Sequence, residues 1–268
     1  PLPEEIKSDL LGIINAVGHN MGINKFLFSG YPGTGKTETV KHLTRILNRE
    51  LYSVDFNYII DSKLGQTGKN IFKLFEEINN LNTPERVVIL FDELDGIALD
   101  RTDKTDMREM GRAATTILKG LDNLNDRVLL IATTNLIEYF DKALIRRFDS
   151  IIDFNRYSRQ DLIDISEVIL NYYLSKFDKI GRNIRVFRKI ISLYDTIPYP
   201  GDLKNLIKTS IAFSDPNSEF DYLKRLYITV SKSKEKNFKQ MKEQGFTIRE
   251  IEILTGVSKS QVSRELKE

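Results

Sequence analysis

The chain contains no cysteine. That removes disulfides, thiolate zinc sites and cysteine nucleophiles together. Its two histidines, His19 and His42, lie apart and lack the spacing of a metal pair. With no tryptophan, aromatic packing falls to 15 phenylalanines and 11 tyrosines. Long apolar runs are missing too. Val87–Phe91 is among the longest, at about five residues, far short of the ~20 that a membrane helix needs. No signal-peptide pattern opens the chain, so the expectation is a cytosolic protein with no membrane partner. Charge of one sign is also lacking: 40 Lys and Arg against 38 Asp and Glu leave a net +2. Any basic site must therefore be local. The chain opens on Pro1 rather than methionine, which leaves open what precedes it.

What is present suffices for a packed core. Of 268 residues, 41% are hydrophobic and 29% charged, which suits one large domain or two to three smaller ones. Ile6, Leu10, Ile13, Ile14 and Val17 share one helical face. Short apolar strands are predicted at 25–29, from 51, at 87–91, at 128–133 and at 150–154. Helical patterns alternate with them, including Ile71, Leu74, Phe75 and Ile78, and then Met110, Ala114, Ile117, Leu118 and Leu121. Apolar strands alternating with helices predict an α/β fold, a parallel sheet covered on both faces. Ligands in such sheets sit at the carboxyl ends of strands.

Past about Tyr157 the pattern becomes helical: Leu162, Ile165, Val168, Ile169 and Tyr172, then Phe187, Ile190, Ile191 and Tyr194, then Leu203, Leu206, Ile207 and Ile211. The PYPG at 198–201 starts the last of these helices. The polar SKSKEK at 231–236 reads as a linker. The expected division is a core at 1–155, an all-α lid at 156–230 and a small domain at 237–268.

Gly30-Tyr31-Pro32-Gly33-Thr34-Gly35-Lys36-Thr37 has the pattern G-x-x-x-x-G-K-[ST]. Glycines there let backbone N–H groups turn inward around phosphate oxygens. Lys36 reaches the terminal phosphates, and the Thr37 hydroxyl ligates magnesium. The following helix, with Glu38 in its first turn, aims its N-terminus at the anion. Gly30, Pro32, Gly33, Thr34, Gly35, Lys36, Thr37 and Glu38 are thus the expected nucleotide-binding residues, with ATP and Mg²⁺ the expected ligands. Val87–Glu93 supplies the second half. Asp92 ends an apolar strand and can hold the magnesium shell, and Glu93 is placed to polarise water towards the γ-phosphate.

These motifs, with FDELDGIA (91–98), ATTN (132–135) and FDKALIRRFD (140–149), resemble the AAA+ ATPases in order and spacing. The last two resemble the second region of homology of the AAA subgroup. The resemblance runs to about residue 210. It implies a P-loop NTPase core that hydrolyses ATP, with Asn135 as sensor 1, orienting the lytic water or touching the γ-phosphate. It implies that Arg146 and Arg147 are arginine fingers reaching a neighbouring subunit, hence a ring homo-oligomer, a hexamer by analogy. The family commonly has Pro-Gly between these arginines. Here they are adjacent, so either one can be the residue acting in trans. Lys204 stands where many relatives place a sensor 2 arginine. The segment 61–69 resembles the substrate-gripping loop of protein-threading members but lacks its aromatic, with Lys63 and Leu64 in that neighbourhood. The charged loop 100–108 reads either as a channel loop or as ordinary surface.

At the C-terminus, Thr247 and Ser258 read as caps of two helices separated by Gly256. Val262 and Leu266 face inward. This matches a helix-turn-helix, and GVSKSQVSREL resembles recognition helices of bacterial regulators and recombinases. Lys259, Ser260, Gln261, Ser263 and Arg264 are the candidate DNA contacts. Residues 232–268 hold nine Lys or Arg and six Asp or Glu, a small surplus that leaves protein docking open. The expected function is ATP-driven remodelling of a bound macromolecule with a C-terminal DNA adaptor. The alternatives are a protein unfoldase whose C-terminal unit docks a partner, and a nucleotide-switched DNA-bound loader.

Overall fold

The computed structural model describes residues 2–19, 21–59, 66–95, 104–177, 179–232 and 237–267. They form two bodies, one of Pro3–Arg156 and one of Tyr157 onward together with Leu2.

The first body is built on five parallel strands: β1 (Lys25–Ser29), β2 (Glu50–Asp55), β3 (Val87–Asp92), β4 (Leu129–Thr134) and β5 (Ser150–Asp153). Their order is β2-β3-β4-β1-β5. Leu27 pairs with Ala132 and with Ile151, and Ile89 pairs with Leu130. The helices are α1 (Glu4–Gly18), α2 (Lys36–Ile46), α3 (Phe56–Ile59), α4 (Gln66–Asn79), α5 (Lys104–Asp122) and α6 (Lys142–Ile145). On one face Leu27, Ile89, Phe91, Leu130 and Ala132 cluster with Ile71, Phe75, Ile117 and Leu121 of α4 and α5. The alternate residues Phe26, Phe28, Val88, Leu90 and Ile131 are buried as well, so the central strands are covered on both sides. Phe91 receives the edges of Phe56 and Phe75, with ring centroids 5.0 and 5.7 Å away. The outer strands differ. β2 and β5 expose most of their residues, as edge strands do.

The second body is helical: α7 (Arg159–Leu174), α8 (Ile184–Ile191), α9 (Pro200–Ala212), α10 (Asp221–Ser231), α11 (Phe238–Glu243), α12 (Ile248–Thr255) and α13 (Lys259–Glu265). Ser158 and Asp161 form a capping box on α7, and Pro200 occupies the first turn of α9. The buried face of α7 carries Leu162, Ile163, Ser166, Leu170 and Leu174, with Ile165. Val168 and Tyr172 point to solvent. The helix has apolar residues on two overlapping stripes, and packing against α9 selects the one containing Leu170.

The sequence separates 156–230 from 237–268, but in the structure they share one apolar cluster. Leu226, Tyr227 and Val230 of α10 lie in it with Phe238, Met241, Phe246, Ile251, Leu254 and Val262. Tyr227 meets Phe246 edge-on at 5.6 Å and donates to Gln244 Oε1 at 2.9 Å. A charged cluster adds to the contact. Lys189 Nζ of α8 donates to Glu250 Oε2 at 2.7 Å and to the Gly245 carbonyl at 2.8 Å. Arg185 Nε lies 3.4 Å from Glu250 Oε1. Glu250 also closes a capping box with Thr247. Gly256 ends α12 in the left-handed region, and Ser258 caps α13.

Candidate nucleotide site

The site lies where β1, β3 and β4 end. β1 runs straight into the glycine loop, and Gly35 at φ 96° is the N-cap of α2. Gly30 has φ 145°, and a Cβ there would come within 3.0 Å of Phe154 Cβ and 3.3 Å of the Phe154 carbonyl carbon. Only glycine fits that turn. Tyr31 N–H donates to Asn155 Oδ1 at 2.8 Å, and the Thr34 hydroxyl to the Tyr31 carbonyl at 2.8 Å. The loop is therefore held from within and from the end of β5. Glu38, in the first turn of α2, is exposed and pairs with Lys41.

Lys36 is buried, unusual for a lysine. Its ammonium donates to the Gly30 carbonyl at 2.6 Å, the Tyr31 carbonyl at 3.1 Å and Asn135 Oδ1 at 2.8 Å. Burial pushes its pKa down to about 8, against the opposing pull of Asp95, Asp92 and Glu93. Thr37 Oγ1 donates to Asp92 Oδ1 at 3.0 Å, and Thr133 Oγ1 to the same oxygen at 2.7 Å. Two hard oxygen donors, a hydroxyl and a carboxylate, suit magnesium, which keeps most of its shell for phosphate and water.

Glu93 follows with φ 52°, a left-handed conformation on a residue other than glycine. Such backbone strain gathers at functional sites. Its N–H donates to Thr133 Oγ1 at 3.0 Å, and its side chain is exposed. The turn brings a residue that sequence reasoning passed over, Asp95. It is buried, accepts the Thr134 hydroxyl, and accepts the Asn135 N–H at 2.9 Å. Its only signal in the sequence was the third acid of FDELD.

The two arginines separate. Arg147 forks onto Asp122, with Nε at 3.1 Å and Nη2 at 3.3 Å, and donates to the Ala143 carbonyl at 3.0 Å. Arg146 is exposed and has no partner among the described residues. Lys204 stands exposed on α9 of the second body. There it adds to the effect of the Lys176 hydrogen bond in lowering the Tyr172 pKa. Lys63 and Leu64 lie outside the described residues, as do 100–103 of the charged loop. On α13, Lys259, Ser260, Gln261 and Arg264 are exposed and Ser263 is half-buried. Lys259 lies 3.8 Å from Glu252, and Gln261 donates to Glu265 at 3.2 Å. Among the described residues, no helix is long and apolar enough to cross a membrane.

Residues 26–156 match the family described as ATPase family associated with various cellular activities, AAA. This segment is an AAA-family ATPase domain. The AAA domain is 37% identical over 133 residues to an uncharacterized AAA family ATPase of Sinorhizobium fredii, covering 50% of this chain and 39% of that protein. It is 34% identical over 133 residues to the peroxisomal ATPase pex6 of Schizosaccharomyces pombe, 47% of this chain and 14% of that one. It is 32% identical over 133 residues to the proteasome-activating nucleotidase of Methanoregula boonei, 47% of this chain and 30% of that one. The chain thus spans well under half the length of these relatives.

Proposed function

We propose that the protein hydrolyses ATP to ADP and phosphate with magnesium, and uses the cycle to remodel a bound macromolecule as a ring homo-oligomer. The observation that carries this is the network at the strand ends, in which Lys36 meets Asn135 and Thr37 meets Asp92. The backbone from Gly30 to Gly35 cradles the phosphates, with Pro32, Gly33 and Thr34 shaping the turn and Glu38 at its rim. Lys36 binds the terminal phosphates. Thr37 and Asp92 would hold magnesium, which when bound neutralises charge on the transferring phosphoryl group. Glu93 orients and deprotonates water, and Asn135 positions that water or the γ-phosphate. Arg146, whose side chain has no partner among the described residues, serves as the finger in trans, while Arg147 braces α6 against Asp122. Lys204 is the lid residue assigned to the nucleotide.

For the output, we assign α12 and α13 as a helix-turn-helix that joins the machine to DNA through Lys259, Ser260, Gln261, Ser263 and Arg264. Protein docking is the second reading, favoured by Glu252 and Glu265, which engage Lys259 and Gln261 on that surface. The relatives named for the proteasome and the peroxisome point the same way. One experiment addresses both levels. ATP turnover should be present in the parent and fall about 10²-fold or more in Glu93→Gln, and equal rates would remove Glu93 as the base. DNA binding by Glu93→Gln with ATP should weaken steeply with salt and vanish in Lys259→Ala/Arg264→Ala. Absence of binding at low salt transfers the assignment to protein docking.

A further inference from the structure

Asp95 is a buried carboxylate with no cation hydrogen-bonded to it among the described residues, although the Lys36 ammonium lies within its electrostatic reach. One oxygen takes the Thr134 hydroxyl and the other the Asn135 backbone N–H at 2.9 Å. Thr134 Oγ1 in turn accepts the Leu136 N–H at 3.0 Å. The same turn is stitched to β4 twice more, by Leu94 N–H to the Thr133 carbonyl at 3.0 Å and by Glu93 N–H to Thr133 Oγ1 at 3.0 Å. A buried carboxylate with no cation bonded directly to it is costly to keep. Two neutral donors only partly offset that cost, and asparagine would offer one acceptor where two are used.

The bonds converge on one residue. Asn135 is held at its backbone by Asp95 and at its side chain by Lys36, 2.8 Å away. We infer that Asp95 is a positioning residue for Asn135, fixing where the Asn135 carboxamide stands relative to Lys36 and Glu93. Asp95 does this from the turn that carries Glu93, so the water-activating carboxylate and the Asn135 amide are set by one rigid connection. Groups of this kind, behind those that touch the reacting atoms, change activity about 10–100-fold when removed.

The inference rests on the ATPase reading, and its test has an arm that does not. In ¹⁵N-labelled full-length protein without nucleotide, the Asn135 side-chain amide pair is identified by its absence in Asn135→Ala. That pair should shift in Asp95→Asn and in Thr134→Val, a milder variant that keeps the charge. In turnover assays, Asp95→Asn should lower kcat about 10–100-fold while affinity for a fluorescent ATP analogue stays within about 3-fold. Asp95→Asn/Asn135→Ala should be no slower than the worse single variant, because both substitutions remove one function. An unmoved amide pair, an unchanged kcat in Asp95→Asn, or losses that multiply in the double variant would each overturn the assignment. Equal turnover by the parent and Glu93→Gln would instead sink the ATPase reading, with the amide resonances still deciding the role of Asp95.

Discussion

Replacing Lys189 by methionine should loosen the second body in a pH-dependent way. The substitution keeps an unbranched side chain and removes the ammonium that lies 5.7 Å from the Phe246 ring centroid and bonds Glu250 Oε2 at 2.7 Å and the Gly245 carbonyl at 2.8 Å. A hydrogen bond to a charged group contributes about 1.5–3 kcal/mol. Removing one partner of a fully buried pair costs about 3–5 kcal/mol. Here Glu250 keeps Arg185 and the Thr247 N–H at 2.8 Å, and the Lys189 side chain is 26% exposed. The lower figure therefore applies, about 2 kcal/mol, which lowers the melting temperature by on the order of 8 °C for a body of this size. Burial pushes the Glu250 carboxyl up, but the Lys189 and Thr247 bonds outweigh it and hold the pKa below the ordinary 4.5. A depressed carboxylate stabilises the fold fully above the unfolded value and loses that contribution as pH falls through the folded value. The gap between parent and Lys189→Met should thus be full at pH 7 and shrink below about pH 4.5. Urea denaturation followed by circular dichroism at a series of pH values measures it. An equal gap at pH 7 and pH 3.5, or none at pH 7, would refute the ion-pair account.

Gly30→Ala should cost about 2 kcal/mol through backbone conformation and contact with Phe154, and should weaken nucleotide binding; unchanged melting and unchanged affinity together would contradict the tight turn. Arg147→Ala should lower the melting temperature by breaking the Asp122 fork, whereas Arg146→Ala should leave it unchanged and reduce turnover about 10³-fold. Mixing Arg146→Ala with Lys36→Ala subunits should restore part of the activity, and no recovery at any ratio would count against a finger in trans. Lys36→Ala should lose nucleotide binding, measured by titration with a fluorescent analogue, and retained affinity would contradict the loop assignment.

The parallel sheet was legible because Val87–Phe91 and Leu129–Ala132 are apolar without interruption, a pattern that only strands covered on both faces tolerate. The glycine turn between β1 and α2 was legible because its residues are contiguous in the chain. The bonds of Asp95 were not, since its partners Thr134 and Asn135 lie about forty residues on, at the end of β4. Nor could sequence separate Arg146 from Arg147. The choice turns on Asp122 at the end of α5, reached only by tertiary folding. The α7 stripe was misassigned at Val168 and Tyr172 because the helix is apolar on more than one side, and periodicity cannot say which side meets α9. The polar 231–236 segment reads as a boundary, yet buried aromatics on both sides of it, Tyr227 and Phe246, pack together.

That packing has a practical consequence for how the C-terminal helices can be studied. Their apolar residues, Phe238, Phe246, Ile251, Leu254 and Val262, find partners on α8 and α10 rather than only among themselves. A piece of about 30 residues, with no disulfide or metal to staple it, is below the size at which isolated domains usually hold together. Excised at the polar segment, it should behave as an unstructured peptide and give a misleading answer in any binding assay. The smallest transplantable piece begins at Tyr157, and a chimera or truncation has to carry the whole helical body to carry these helices folded.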